Sequence, residues 1–244
     1  MLIECRQLNK NYISDNITIS AVNNVNLSIR RGEFSVILGH SGSGKTTLLS
    51  LIGGLTIPDS GEVLINGVEN WSQSDEALSD MRNTRIGFIF QFASLIPTLT
   101  AMENILLPLS FGRNPKGNYQ KAREILELVG LKDKANSFPS QLSGGQQRRI
   151  AIARAFINEP DIILADEPTG DLDEVTEKEI LQIFKEYNSR GTTFVVVTHN
   201  VHLVESQVSG RIFHMRQGIL TEEGSAVGSS DAAIRGDATV EKAI

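Results

Sequence analysis

One glycine-rich loop constrains this chain more than any other feature. Residues Gly39-His40-Ser41-Gly42-Ser43-Gly44-Lys45-Thr46-Thr47 follow the nearly all-apolar run Phe34-Ser35-Val36-Ile37-Leu38. Such a run is expected for a strand buried on both faces. A helical stretch follows, from Thr46 to about Gly53, and is broken by Gly53-Gly54 and Pro58. The spacing Gly39-x-x-x-x-Gly44-Lys45-Thr46 is that of a phosphate-binding P-loop. Its glycines let the backbone turn tightly, so that N–H groups point inward at phosphate oxygens, and the helix behind adds the positive end of its dipole. Lys45 then brings charge to the β- and γ-phosphates, and the Thr46 hydroxyl is a ligand for Mg²⁺. His40, Ser41, Gly42, Ser43 and Thr47 complete the expected ATP-binding stretch, although His40 stands at a position where the pattern allows any residue.

A second signal is Ile162-Ile163-Leu164-Ala165-Asp166-Glu167, an apolar strand that ends in two acids. In open α/β sheets, ligands bind at the carboxyl ends of the strands. Asp166 is placed to hold Mg²⁺, directly or through water, and Glu167 to orient or deprotonate the attacking water. On their own the two acids could simply cap the turn before Pro168. Paired with the P-loop, they make a nucleoside triphosphatase.

The motif that sorts one such enzyme from another is Leu142-Ser143-Gly144-Gly145-Gln146, whose last residue lies 20 positions before Asp166. Two glycines at a helix start leave backbone N–H groups open to phosphate, and Ser143 is a good N-cap and a candidate donor to a γ-phosphate. The pentapeptide reproduces the signature of ABC ATPases, and the full motif order of that family is present over roughly residues 2–220. The chain therefore resembles the ATP-binding subunit of an ABC membrane transport complex.

That resemblance implies further roles. Tyr12 resembles the aromatic residue that stacks on adenine. Gln91, after Gly87-Phe88-Ile89-Phe90, resembles the glutamine that contacts Mg²⁺ and the attacking water. Asp171 and Asp173, in Gly170-Asp171-Leu172-Asp173, resemble the loop that lines the dimer seam, with the looser match at Asp171. His199, after Val195-Val196-Val197-Thr198, resembles the switch histidine, and a strand end is the right place from which to bond a γ-phosphate. Two copies pair head to tail in this family, with the P-loop of one facing the signature of the other. The physics agrees, because one P-loop covers one side of a triphosphate and the other side needs donors from elsewhere.

The stretch from Gly87 to Ile105, continuing through Leu107-Pro108-Leu109, is similar to the LolD/MacB type of ABC ATPase, the lipoprotein-release and macrolide-export branch. An integral membrane subunit with few spans is the partner this implies. Phe92, Leu95, Ile96, Leu99 and Met102 are the candidate docking residues; packing within a helical lobe would use the same side chains.

Composition narrows the alternatives. The net charge is −6 over 244 residues, which disfavours nucleic acid as a partner, since phosphate contacts need clustered Lys and Arg. The single cysteine, Cys5, can form no internal disulfide and fits a reducing, cytosolic setting. The longest apolar runs, residues 35–38 and 162–165, fall far short of the ~20 residues of a membrane span. No signal-peptide pattern follows Met1. The expected location is therefore cytoplasmic, peripheral on the membrane through a partner. A soluble ABC ATPase acting on ribosomes or DNA is the alternative. It fits less well, because the chain has one P-loop, one signature and no sustained heptads across the 97 positions that separate Lys45 from Leu142. A P-loop kinase or GTPase would lack the signature, and no Asn-Lys-x-Asp motif is present.

The expected fold is α/β: a P-loop core with a mainly parallel sheet, an N-terminal antiparallel β portion and a helical lobe. The ATPase domain is expected over residues 1–222, with the lobe at about 74–158 and a polar, poorly ordered tail at 223–244. Strands are expected at 2–8, 25–29, 34–38, 62–65, 86–90, 162–165 and 193–197. Helices are expected at 46–53, 75–82, 101–107, 119–129, 146–157 and 175–187, with a short one from Val201.

Overall fold

A computed structural model describes residues 1–14, 17–112, 118–170, 172–200 and 210–224. Two sheets organise it. The central sheet has six strands in the order β10-β9-β3-β8-β7-β6, where β3 is Phe34–Leu38, β6 is Ile86–Ile89, β7 is Ile162–Asp166, β8 is Thr193–Thr198, β9 is Arg211–Arg216 and β10 is Ile219–Glu222. All neighbours in it run parallel except the β9–β10 pair. The second sheet is antiparallel, in the order β2-β1-β4-β5, with β1 at Ile3–Ser14, β2 at Ile17–Ile29, β4 at Ser60–Ile65 and β5 at Val68–Glu69.

Side chains on a strand alternate between faces, so a strand buried on both sides feeds two separate cores. In β7, Ile163 and Ala165 join one core while Ile162 and Leu164 join the other. In β8, Phe194 and Val196 divide from Val195 and Val197 in the same way. The first core lies against the helices α3 (Ala101–Leu106), α4 (Tyr119–Leu128), α5 (Gly144–Phe156) and α6 (Glu174–Ser189). The second lies against α1 (Lys45–Ile52), α2 (Asp75–Arg85) and the antiparallel sheet. A run of apolar β-branched residues in β7 and β8 is thus the central layer of a sandwich, and its carboxyl ends carry Asp166, Glu167 and His199.

The fold class and the antiparallel start agree with expectation, and several boundaries do not. The first two strands are far longer than 2–8 and 25–29, because polar residues such as Asn9, Asn11 and Asn24 continue the hairpin through shifts in register. Strands β9 and β10 were not expected. Their sequence, Arg-Ile-Phe-His-Met-Arg-Gln-Gly-Ile-Leu, alternates and turns at Gln217-Gly218, both with positive φ (49° and 80°), which is the requirement of a two-residue primed hairpin. Residues 74–158 hold β6 as well as α2 to α5, and β6 pairs with β7 in the central sheet. The helix expected from Val201, most of the 112–118 loop and residues 225–244 lie outside the described residues.

A candidate nucleotide site at the strand ends

The loop 39–44 joins β3 to α1, as its position between an apolar run and a helix requires. Gly44 has φ +104°, and a Cβ there would stand 1.9 Å from the Ala21 carbonyl oxygen on β2. No other residue fits that close approach. Gly39 is similarly confined, since a Cβ would meet the Met215 carbonyl oxygen at 2.5 Å. Within the loop, the Lys45 Nζ donates to the Gly39 and His40 carbonyl oxygens at 2.7 and 3.0 Å. Lys45 is 7% exposed, so its charge is held at the loop and away from bulk water. The Ser43 Oγ is buried without a hydrogen-bond partner, an orphaned polar atom that suits a phosphate oxygen.

The loop lines a cleft of about 430 Å³ together with Ile19, Ala21, Gln91, Asp166, Glu167 and His199. The P-loop residues His40 to Thr47 all face it. Thr46 Oγ1 donates to Asp166 Oδ2 at 2.7 Å, which places two hard oxygen donors side by side. Mg²⁺ prefers one or two such protein ligands with phosphates and water completing the shell. Thr46 and Asp166 therefore fit it, even though the described residues contain no cluster of three or more His, Cys, Asp or Glu.

Burial pushes the Asp166 carboxyl above its ordinary pKa. The Thr46 hydroxyl opposes this, the Glu167 charge adds to it, and Lys45 and Arg148 oppose it further. A carboxyl whose pKa is raised on folding contributes stability below its unfolded pKa, and that contribution is lost as pH rises through the folded value. At pH 7, above the ordinary carboxylate range, an ionised Asp166 thus weighs against the nucleotide-free fold. Asp166→Asn keeps an oxygen to accept from Thr46. It is expected to melt at or above the wild-type temperature without nucleotide. It is also expected to lose the extra stabilisation that ATP with Mg²⁺ gives over ATP with a chelator. Thermal melts under the two conditions check both halves.

Glu167 follows β7 with φ +45°, a left-handed conformation uncommon for a residue with a side chain. Such strain persists where the surroundings over-determine it. Here the Glu167 N–H donates to the Val197 carbonyl oxygen at 2.9 Å. Its Oε2 accepts from Thr198 Oγ1 at 2.7 Å, and its Oε1 accepts from the His199 N–H at 3.0 Å. The His199 Nδ1 lies 2.8 Å from the same Oε1. With Nδ1–H donating there, Nε2 is an acceptor in the neutral ring and a donor in the protonated one. His199 is two-thirds exposed, so that nitrogen is accessible from the cleft side.

Not every expected site residue joins this cleft. Tyr12 pairs across the hairpin with Ile19, stays 45% exposed and does not line it; Ile19 and Ala21 do. The signature residues 142–146 are absent from the lining as well. Leu142 is 6% exposed and belongs to the helical core. Ser143 caps α5, its Oγ accepting from the Gln146 N–H at 3.3 Å while Gln146 Oε1 accepts from the Ser143 N–H at 3.0 Å. This reciprocal pair leaves the Gly144 and Gly145 N–H groups as those a helix start cannot bond internally. Asp173 caps α6 by accepting from the Val175 and Thr176 N–H groups, and those bonds, Thr176 first, hold its carboxyl below the ordinary range. Asp171 lies outside the described residues.

Sequence reasoning missed two arginines of α5. Arg148, 3% exposed, donates to the Phe90 carbonyl oxygen, and Arg154 donates to those of Ala93 and Ser94. The helix that starts at the signature thus grips the backbone on both sides of Gln91. The acceptors of Arg148 and Arg154 lie some 60 residues away in sequence, where no local pattern marks them.

Comparison with known proteins gives one consistent answer. The family model described as ABC transporter matches residues 22–170. A Thermotoga maritima protein, an uncharacterized ABC transporter ATP-binding protein, is 48% identical over 197 residues, covering 80% of this chain and 84% of its own. The dimeric structure of MJ0796, a bacterial ABC transporter cassette, matches with a TM-score of 0.85 and 43% identity over 90% of this chain and 98% of that one. A dimeric post-hydrolysis state of the same cassette, bound to ADP and Pi, matches with a TM-score of 0.84 at 42% identity, again over 90% and 98%.

Proposed function

The chain belongs to the ABC transporter family as an ATP-binding, ATP-hydrolysing subunit that uses Mg²⁺, and from that premise we propose that it works as a head-to-tail pair driving an integral membrane subunit. One observation carries the pairing. The cleft has a P-loop, two acids and a histidine, while the exposed start of α5 with Ser143, Gly144 and Gly145 stands apart from it. A second copy brings those donors to the open side of the triphosphate. The two MJ0796 structures are dimers, which supports the same arrangement here.

In this reading the loop amides, Lys45 and the Ser43 hydroxyl bind the phosphates. Thr46 and Asp166 would hold Mg²⁺, which would supply neutralisation of the phosphate charge. Glu167 accepts a proton from the attacking water or orients it, and Gln91 stands across the cleft to position the same water. His199, held by Glu167 through Nδ1, offers Nε2 to the γ-phosphate. By the family resemblance the dimer seam is assigned to Asp173 and to Asp171, which lies outside the described residues. Tyr12 reaches adenine only from the hairpin beside Ile19, at the outer edge of the cleft. The ATPase domain runs over residues 1–222, and 223–244 form a polar tail.

The membrane subunit is of the lipoprotein-release and macrolide-export kind, with few spans. Similarity along residues 87–109 supports this. So does an apolar groove of about 400 Å³ lined by Phe88, Phe90, Ile96, Leu107, Pro108 and Phe111, which is continuous with the backbone gripped by α5. A short apolar-faced helix of the membrane subunit fits it. Of the docking candidates, Ile96 lines this groove and Phe92 is 76% exposed, whereas Met102 is 7% exposed and packs in the helical core with Leu95 against it. Among the described residues no helix is long and apolar enough to cross a membrane. The proposed place of the chain is the cytoplasmic face of the membrane, held there by this partner.

The test is a pull-down of the tagged chain from detergent-solubilised native membranes, beside Phe111→Asp. Phe111 is 75% exposed, so the change spares the core. The expected result is a membrane subunit with few spans that is recovered with the wild type and lost with the variant. A many-span partner would overturn the branch. Ribosomal proteins or DNA in place of any membrane subunit would overturn the transport reading.

A further inference from the structure

Behind the side chains that face the cleft lies a second layer on α6. Glu177 stands in the first turns of that helix, and its Oε1 accepts from Thr169 Oγ1 and from Asn200 Nδ2, each at 3.0 Å. Thr169 is 4% exposed and comes two residues after Glu167, while Asn200 directly follows His199. The Asn200 N–H donates at 3.0 Å to Thr198 Oγ1, the same hydroxyl that donates to Glu167 Oε2. The contacts close into a ring: from Glu167 to Thr198, Asn200, Glu177 and Thr169, then back along the chain to Glu167.

We propose that Glu177 is a positioning residue for hydrolysis, its carboxylate clamping the exit of β7 to the exit of β8 so that Glu167 and His199 keep their mutual geometry. The inference rests on the ATPase reading of the cleft and adds a residue to it. Three physical points support it. The carboxylate stands on a rigid element, since Ile180, Leu181, Ile183 and Phe184 anchor α6 in the core. It ties the segment just after the strained Glu167 to the segment just after His199, and Glu167 at φ +45° needs its surroundings to hold it. The same helix is capped by Asp173, whose carbonyl oxygen accepts from the Glu177 N–H at 2.8 Å, so Glu177 stands one turn from the cap that starts α6.

The chemistry separates two substitutions. Glutamine keeps an oxygen able to accept both bonds, whereas alanine keeps none. The experiment measures kcat, KM for ATP with Mg²⁺, ATP affinity and melting temperature of the full chain as wild type, Glu177→Gln, Glu177→Ala, Asn200→Ala and the Glu177→Ala/Asn200→Ala double variant. Misplacement of a catalytic pair acts on turnover, so Glu177→Ala is expected to lose about tenfold or more in kcat with KM and ATP affinity within about twofold. Glu177→Gln is expected to retain most of the wild-type kcat. The double variant is expected to be no worse than the poorer single one, because both cut the same ring.

Wild-type kcat in Glu177→Ala overturns the clamp. So does a glutamine variant as poor as the alanine one, or a loss of kcat matched by equal losses in ATP affinity and melting temperature. Absence of hydrolysis by a wild-type chain that binds ATP would instead remove the ATPase reading itself, and the clamp with it.

Discussion

Glu167→Gln is expected to lower ATP turnover by about a thousandfold or more while ATP binding stays within a few-fold of wild type. A positioned general base contributes roughly 10²–10⁴-fold, and an amide cannot take a proton from water. The substitution is close to isosteric, and the surroundings tolerate it unevenly. With the amide oxygen in the place of Oε1, the His199 N–H and Nδ1 keep their acceptor, and the NH₂ in the place of Oε2 donates to Thr198 Oγ1, whose hydroxyl turns to accept. The strained backbone at φ +45° therefore keeps most of its supports, and the loss falls on chemistry. Phosphate release from radiolabelled ATP, beside equilibrium nucleotide binding, checks the two halves. Normal turnover would mean that another group takes the proton.

Lys45→Ala is expected to weaken ATP binding by roughly a hundredfold or more. Charge-assisted hydrogen bonds are worth about 1.5–3 kcal/mol each, and two lost at the β- and γ-phosphates amount to two or more decades of affinity. Position sharpens the effect, since at 7% exposure the ammonium acts in a poorly solvated pocket. Alanine also leaves the Gly39 and His40 carbonyl oxygens without the donor that now fastens them. Calorimetric titration with ATP measures the loss. Wild-type affinity in a folded Lys45→Ala would take the loop out of its assigned role.

The two variants differ in kind. One is expected to spare binding and remove chemistry, the other to remove binding and chemistry together. That contrast follows from where the side chains stand, Lys45 bonded inside the 39–44 loop and Glu167 just past the end of β7, and from the roles proposed for them.

Local sequence carried most of this site because its parts are local. A tight glycine loop needs particular residues within nine positions, an acid pair at a strand end needs two, and a helix-start anion site needs five. Each is a short segment whose backbone geometry and chemistry are set by its own residues, and their order along the chain pointed to the family. The central strands were legible for a similar reason, as burial on both faces leaves a run such as Thr-Phe-Val-Val-Val-Thr with no polar face.

What escaped was non-local. The ring through Glu177 joins residues 8, 23 and 31 positions apart, with no pattern that marks them as neighbours until β7, β8 and α6 are packed. Arg148 and Arg154 bond backbone oxygens, which any residue supplies, so nothing in the 90–94 sequence announces them. Tyr12 shows a different limit. The β1–β2 pairing shifts register between Cys5 and Leu8, between Leu8 and Lys10 and between Lys10 and Asn11, and each shift breaks the simple alternation by which a strand residue's face is read. Tyr12 itself lies past these shifts and shares a face of the hairpin with its partner Ile19, but the cleft wall falls to Ile19 and Ala21 on β2 and not to the neighbouring β1.

The measurement that bears most directly on the central claim, an ATP-closed pair of these chains, is the molar mass of Glu167→Gln by light scattering with and without ATP and Mg²⁺. Slow hydrolysis lets the ATP-bound form accumulate. A monomer is expected without nucleotide and a dimer with it, and a monomer under both conditions once Lys45→Ala is added to the same chain. A monomer throughout, in a Glu167→Gln chain shown to have ATP bound, would contradict it.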